Sequence, residues 1–291
     1  MKSPFWVNEV YSLGFWLKKY SFYPSKLPLC NYLDHGVSLS DKIHKHEIKN
    51  NAPVIFKYSP FSVLNYKKVS QKPVYCVINP LIFYRKKNII KNQNSNGTLF
   101  FPAHSTDLIE DKINWGKLII DLKSIPAEFQ PVEICLHHND FEKNIGKKFE
   151  LEGFKVHTAG KVDCNYFAES FYSLINKFKF TMSNDIGTYT FYSVEMGIPF
   201  SLYGLKPNYF NNGDPNFEKG NKINHTKDKR RKKAENLFNG FHNHISADQR
   251  EFVEIETGVK DSIGRFRACV ILYYALISYY LRVILKKQLF K

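Results

Sequence analysis

The chain has 291 residues, of which 43% are hydrophobic and 16% aromatic, which supports a packed core and excludes a disordered chain. Its formal net charge of +15 points to an anionic partner: nucleic acid, anionic lipid, or an acidic or phosphorylated substrate. The five cysteines, Cys30, Cys76, Cys135, Cys164 and Cys269, are widely spread with no C-x-x-C, which indicates a reducing compartment and excludes a disulfide framework or zinc ribbon.

The N-terminus reaches Asn8 and Glu9 before any long apolar run, so no secretory signal is expected. Residues 5–20 carry Phe5, Trp6, Val7, Val10, Tyr11, Leu13, Phe15, Trp16 and Leu17, then Lys18 and Lys19. This pattern predicts an amphipathic helix that packs on the body or touches a membrane surface. Cys30–Leu33 is a short apolar approach ending in Asp34-His35-Gly36. Gly36 permits a sharp turn, which would put Asp34 and His35 at a loop tip. They read either as a general base with its neighbour or as two solvated turn residues.

Strands are expected at Ala52–Phe56, Val74–Asn79 and Thr98–Pro102. His104, Ser105 and Thr106 follow the third strand, where open α/β sheets bind ligands. Ser105 or Thr106 could instead cap a helix carrying Asp107, Glu110 and Asp111. Residues 112–130 predict a helix ending before Pro126, and 126–131 a linker. Val132–Leu136 reads as a strand with His137, His138 and Asp140 at its end. Adjacent histidines point apart, so a metal site from that pair is not expected; one of them, or Asp140, would face a cleft.

A helix at 141–152, a strand at 154–158 and an aromatic helix at 165–178 continue the βα rhythm. The rhythm predicts an α/β fold with a parallel sheet and helices on both faces. Its last repeat runs through Phe178–Met182, Ser183, Asn184, Gly187 and Thr188, then a helix closed by Gly197 and Pro199. Small polar residues at a helix start suit a phosphate, because free N–H groups and the helix dipole favour an anion. The same residues would equally serve as an ordinary cap.

Residues 219–233 hold eight basic side chains, Lys227 among them, and one acid, Asp228. They read as a solvated face or as a site for anionic headgroups or nucleic acid. The uncharged run 268–281, only fourteen residues before Arg282, falls short of the roughly 20 that a span needs. A C-terminal helix that packs on the body or lies in a membrane interface is expected.

Ser183–Thr188 with Glu195-Met-Gly-Ile-Pro199, preceded by Phe101–Thr106 and Asp34-His35-Gly36, resembles bacterial glycosyltransferases of surface-polysaccharide assembly, such as capsule and lipopolysaccharide. Within these it resembles the transferases of CMP-activated acidic sugars, the sialyltransferases and Kdo transferases. The resemblance covers about residues 30–205. Ser183-Asn184 matches their phosphate motif, and His157-Thr158 sits at their His motif without its usual Pro. Tyr192 stands where transferases of UDP- and GDP-sugars carry a ribose-binding Glu, and Glu195 is the nearest acid. Asp34-His35-Gly36 also resembles the His-Gly pair of teichoic-acid glycerophosphotransferases, so CDP-glycerol stays open as donor.

The resemblance implies a GT-B-like fold, two Rossmann-type domains facing a cleft with a C-terminal helical segment. The expected divisions are 1–125 for the acceptor domain, 126–215 for the nucleotide-sugar domain and 216–291 for a basic loop and helices. It implies Asp34, His35, His104 and Asp140 as catalytic residues. Ser105, Thr106, His138, His157, Thr158, Ser183, Asn184, Gly187, Thr188 and Glu195 would bind the donor. No cofactor or metal is expected. The implied partners are a nucleotide-sugar donor and a glycan or lipid-linked acceptor, with no nucleic acid; the basic run 219–233 together with the C-terminal helix adds an anionic membrane surface as an expected partner. The location would be cytoplasmic, peripheral on the inner face of the membrane.

Overall fold

The computed structural model describes residues 2–106, 108–223 and 228–289, with side chains through Val283. It divides into two compact units: Met1–Asn88 with Val162–Ala168 and Glu254–Lys291, and Ile89–Lys161 with Glu169–Val253. Both are mixed α/β structures built on parallel strands.

Unit 1 begins with a short 3-10 turn, Trp6–Asn8, and helix α1, Leu13–Tyr20, rather than one helix over 5–20. Tyr11 and Ser12 take left-handed conformations and interrupt it, and the Ser12 hydroxyl donates to the Tyr11 carbonyl. Such a local bond competes with helix. Then follow β1 (Tyr32–Leu33), α2 (Lys45–Lys49), β2 (Ile55–Lys57), α3 (Pro60–Lys67), β3 (Val74–Cys76) and α4 (Pro80–Asn88). The three strands pair in parallel in the order β1-β2-β3. β2 is buried along its whole length, as a strand covered on both faces must be. Ser59 accepts the Ser62 N–H and Pro60 opens α3, a start written in the sequence. Phe5, Val7, Tyr32, Ile55, Tyr66 and Val74 fill the core.

Unit 2 holds β4 (Thr98–Phe101), β5 (Ile109–Asp111), α5 (Trp115–Lys123), β6 (Val132–Leu136), α6 (His138–Glu142), α7 (Gly146–Glu150) and β7 (Val156–Thr158). It continues through α8 (Phe167–Ile175), whose first two residues belong to unit 1, β8 (Phe180–Ser183), α9 (Thr188–Glu195), β9 (Phe200–Leu202), β10 (Tyr209–Asn211), α10 (Lys229–Phe238) and α11 (Ala247–Glu256), whose last three residues belong to unit 1. The main sheet runs β7-β6-β4-β8-β9, all parallel. By order of appearance this is 3-2-1-4-5, a doubly wound arrangement. Phe100, Leu118, Leu122, Ile134, Phe149, Phe180 and Met182 form its core.

The structure divides the chain elsewhere than at residue 125. β4, on the N-terminal side of that expected boundary, is the central strand of unit 2. Residues 126–131 are not a linker: they form a 3-10 turn that buries Phe129 against Phe180, ring centroids 4.7 Å apart. Thr98 ties the turn down by donating to the Phe129 carbonyl at 2.6 Å.

In place of the helix expected to carry Glu110 and Asp111 stands β5, paired antiparallel with β10. Ser105 accepts the Asp111 N–H at 2.9 Å, and Thr106 accepts from Leu108 and Ile109. Those hydroxyls hold the turn and cap no helix. Asp107 lies outside the described residues, as does Lys227 of the basic run.

The chain returns to unit 1 at Glu254, within α11. Beyond that helix Gly258 is left-handed (φ +71°). A Cβ there would meet the Val77 carbonyl oxygen at 2.5 Å. Helix α12, Arg265–Leu289, follows. It outruns the fourteen-residue expectation: Arg265–Val283 is long and apolar enough to cross a membrane by length and composition. Ala268, Ile271, Leu272 and Ala275 nevertheless bury one face in the protein.

Candidate functional site

In a doubly wound sheet the helices leave in opposite senses on the two sides of the first strand, which opens a crevice at the carboxyl ends there. In unit 2 that place lies between β4 and β8. The residues after β4 are Pro102–Ser105; those after β8 are Asn184–Gly187. Asn184 joins them: its Oδ1 accepts the Ala103 N–H at 2.7 Å, and its Nδ2 donates to the Leu205 carbonyl at 2.8 Å. Asn184 is buried and both ends of its amide are used, so it braces the crevice.

Ser183 is fully buried. Its hydroxyl accepts the Asp185 N–H at 3.0 Å and lies 2.8 Å from the Tyr189 hydroxyl. The Tyr189 ring folds back over the start of α9, where a Cβ on Gly187 would meet it at 2.6 Å. Gly187 is therefore needed for the close approach of this ring. Tyr189 also stacks on Phe101, centroids 4.7 Å apart and 6° from parallel, linking the ends of β4 and β8 again.

Beside this frame sits a polar cluster. His104 follows β4 and His137 follows β6, the neighbouring strand. Their rings stack at 4.1 Å, and His138 lies 4.2 Å from His137. Burial, with His138 adding to it against the pull of Asp185, pushes His104 down to about 4. Burial, then His104 and His138, pushes His137 down to about 3. Stacked half-buried rings cannot both carry charge, so both are neutral at pH 7 and each can give one N–H.

Three carboxylates complete the cluster, and the charge of Asp185 acts on His104. Asp185 is held by the Arg231 guanidinium, by the Tyr209 hydroxyl at 2.8 Å and by the Ile186 N–H at 2.8 Å. Burial opposes the Arg231 charge, but Asp185 and Glu235 outweigh it and raise its proton affinity. Asp111 accepts the Asn208 N–H at 2.8 Å, and its other oxygen is buried with no hydrogen-bond partner among the described residues. Burial, with Asp185 adding to it, raises the Asp111 carboxyl. Asp140, in α6, is buried; burial chiefly, and then Asp111 against the counter-pull of Lys143, pushes its carboxyl up to about 6. A carboxyl near 6 is suited to general acid–base work at neutral pH. Among the described residues, no group of three or more His, Cys, Asp or Glu is arranged to hold a metal ion.

Of the residues expected from sequence, unit 2 thus brings His104, His138, Asp140, Ser183, Asn184, Gly187 and Thr188 to one end of its sheet. Ser105 and Thr106 lie beside them but serve the turn into β5. His157 and Thr158 are in β7, at the sheet edge; His157 pairs with Glu133 of β6, and Thr158 accepts the Gly160 N–H. Glu195 ends α9, seven residues from Thr188 and about 10 Å along the axis from the crevice.

Asp34 and His35 belong to unit 1. Asp34 is not a solvated loop tip. It follows β1, is buried, and pairs at 2.7 Å with the Lys57 ammonium, which also pairs with Glu47. Burial would drain the Lys57 charge, but the two carboxylates outweigh it and raise its proton affinity. His35 keeps a solvent-exposed edge, with its ring 5.5 Å from Trp6. Close packing first, then His46, lowers its proton affinity.

Sequence reading named His137 only as one of two histidines, either of which would face a cleft, and missed Asp111, Asp185, Tyr189, Tyr209 and Arg231 as site residues. Arg231 lay inside a basic run, Asp111 inside an expected helix, and the tyrosines among core-like aromatics. Two open surface depressions, of about 460 and 260 Å³, lie at the amino ends of strands instead, around Pro131–Val132 and Lys179–Phe180. The polar chemistry is at the carboxyl ends, and the site is placed there on that ground.

Fold and site together define a mixed α/β protein with parallel sheets and a polar centre at the switch point of the larger one. No family model and no curated relative matches the chain. Among solved structures it is similar to the S. aureus MnaA-UDP co-structure, at 12% identity and a TM-score of 0.40. That similarity covers 79% of this chain, which spans about 60% of the length of the other.

Proposed function

We propose that this protein is a nucleotide-sugar-dependent glycosyltransferase with a GT-B-like fold, its donor bound at the carboxyl ends of β4, β6 and β8. The observation that carries the reading is the gathering of His104, His137, His138, Asp111, Asp140 and Asp185 beside the switch point, around the carboxyl ends of β4, β6 and β8 of a doubly wound sheet. Such crevices hold ligands in open α/β proteins, and phosphates favour the helix starts there. The motif resemblance to transferases of CMP-linked acidic sugars supports that donor class, and CDP-glycerol is the competing one.

In the proposed step, the acceptor hydroxyl oxygen bonds to the anomeric carbon as the carbon–oxygen bond to the donor phosphate breaks. The electron pair leaves with the nucleotide. The hydroxyl proton passes to Asp140, whose raised carboxyl makes it a better base than an ordinary aspartate. Neutral His104 donates its N–H to the departing phosphate oxygen. Asp140 is preferred to Asp34 because Lys57 occupies an oxygen of Asp34. Asn184 and Tyr189 hold the crevice open in a fixed shape.

The test is to incubate the purified protein with CMP-, UDP- and GDP-sugars and CDP-glycerol and measure nucleotide release and shift in melting temperature. Turnover of a CMP-sugar supports the reading. Turnover of CDP-glycerol alone replaces the donor, and no release and no thermal protection with any donor refutes the enzyme.

A further inference from the structure

Helix α12 has two faces. Ala268, Ile271, Leu272 and Ala275, spaced at helical intervals, are buried in unit 1. Tyr279 packs on Phe5, centroids 5.7 Å apart, and Arg265 donates to the Tyr20 carbonyl at 2.6 Å. The opposite face presents Phe266, Val270, Tyr273, Tyr274, Ile277, Tyr280 and Leu281 to solvent; Val270 is 68% and Ile277 57% exposed. The intervals of four, three and four repeat for fifteen residues, so the stripe is continuous for about 22 Å.

The patch extends beyond the helix. Exposed Phe22 lies 5.5 Å from Phe266, and the Arg265 guanidinium sits 3.7 Å over the Phe22 ring. Arg267, next to Phe266 at one end, and Arg282, just past Leu281 at the other, are both exposed. From 265 onward the sequence holds six basic residues and no acidic one. An apolar patch of this size on a surface marks an interaction site.

We propose that this stripe docks on an anionic lipid surface, with α12 lying in the plane of the interface. The chemistry selects that occupant. Tyrosines suit the headgroup level, where one end of the ring is wet, and basic residues at the flanks meet anionic lipid. A second copy of the chain is disfavoured by the same charges: two stripes face to face would bring arginines together without an acid to meet them. A transmembrane placement would strip the buried face from unit 1 and break the Arg265 and Tyr279 contacts. The inference stands apart from the donor assignment, since it uses no residue of the crevice.

The experiment is co-sedimentation of the full chain with phosphatidylcholine vesicles, with and without phosphatidylglycerol. Binding should require phosphatidylglycerol and weaken with salt, as the screening length shrinks from about 10 Å at 0.1 M to 3 Å at 1 M. Val270→Glu with Ile277→Glu should cut binding by at least roughly tenfold at unchanged circular dichroism, since it charges the face that inserts. Arg282→Glu, which leaves the apolar stripe whole, should lower binding and flatten its salt dependence; it decides the matter if the double variant unfolds. Three results overturn the proposal: equal or no binding to both vesicles, a dimer mass that the double variant abolishes, or insertion that resists alkaline carbonate.

Discussion

Replacing Lys57 by Met should destabilise the protein more than any other single change of similar size. The Lys57 side chain is 2% exposed and faces Asp34 and Glu47, at 9% and 8%. Methionine fills much of the space but takes the Lys57 charge away from two buried carboxylates. Removing one partner of a buried ion pair costs about 3–5 kcal/mol, a large share of the roughly 5–15 kcal/mol that holds a domain folded. With a urea slope of about 2–3 kcal/mol per M, the midpoint should fall by about 1–2 M. Adding Asp34→Asn and Glu47→Gln should recover most of the loss, because no charge then needs burial. The variant should also regain stability as pH falls, since a protonated carboxyl carries no charge. In the wild type the sign is the same but the window is alkaline. Lys57 binds its proton more tightly when folded, so its contribution is complete below its ordinary 10.5 and is lost as pH rises through the higher folded value. Equilibrium urea unfolding followed by circular dichroism measures all of this. A Lys57→Met loss below about 1 kcal/mol, the worth of a surface pair, would refute the reasoning.

Asp140→Asn should lower turnover by about 10²–10⁴-fold at unchanged folding, and abolish a wild-type rise in rate as pH climbs through about 6. A pH–rate profile with any donor that turns over decides it. Gly258→Ala should be far worse than Gly153→Ala. Both glycines are left-handed, but a Cβ at Gly258 meets carbonyl oxygens at 2.5 and 2.9 Å while at Gly153 it meets nothing within 4 Å. Thermal melts should show about 1–2 kcal/mol of backbone strain at Gly153 and clearly more at Gly258. Phe129→Ala should cost about 3–5 kcal/mol, as for a core aromatic, where the linker expected there would have lost almost nothing. The same urea series tests it.

The sequence by itself determined the class of fold and much of its punctuation. Alternation of apolar runs with helical spacings announced parallel βα units, because a strand covered on both faces has no polar side to show. Ser59-Pro60 and Gly197-x-Pro199 marked ends that local chemistry alone dictates. His104, Asp140, Ser183 and Asn184 were legible as residues at strand ends, since strand ends are where such sheets bind. Only the tertiary structure decided which of them meet. Strand order put β4 between β6 and β8, and so stacked His104 on His137, residues 33 apart in the chain. It brought Arg231 from a basic run onto Asp185, and Tyr189 back over Gly187. It also withdrew Asp34 into a buried pair with Lys57, a partner that no local pattern names. The physical reason is range: caps and periodicity act within a turn or two, while register and burial are set by contacts between segments far apart in sequence.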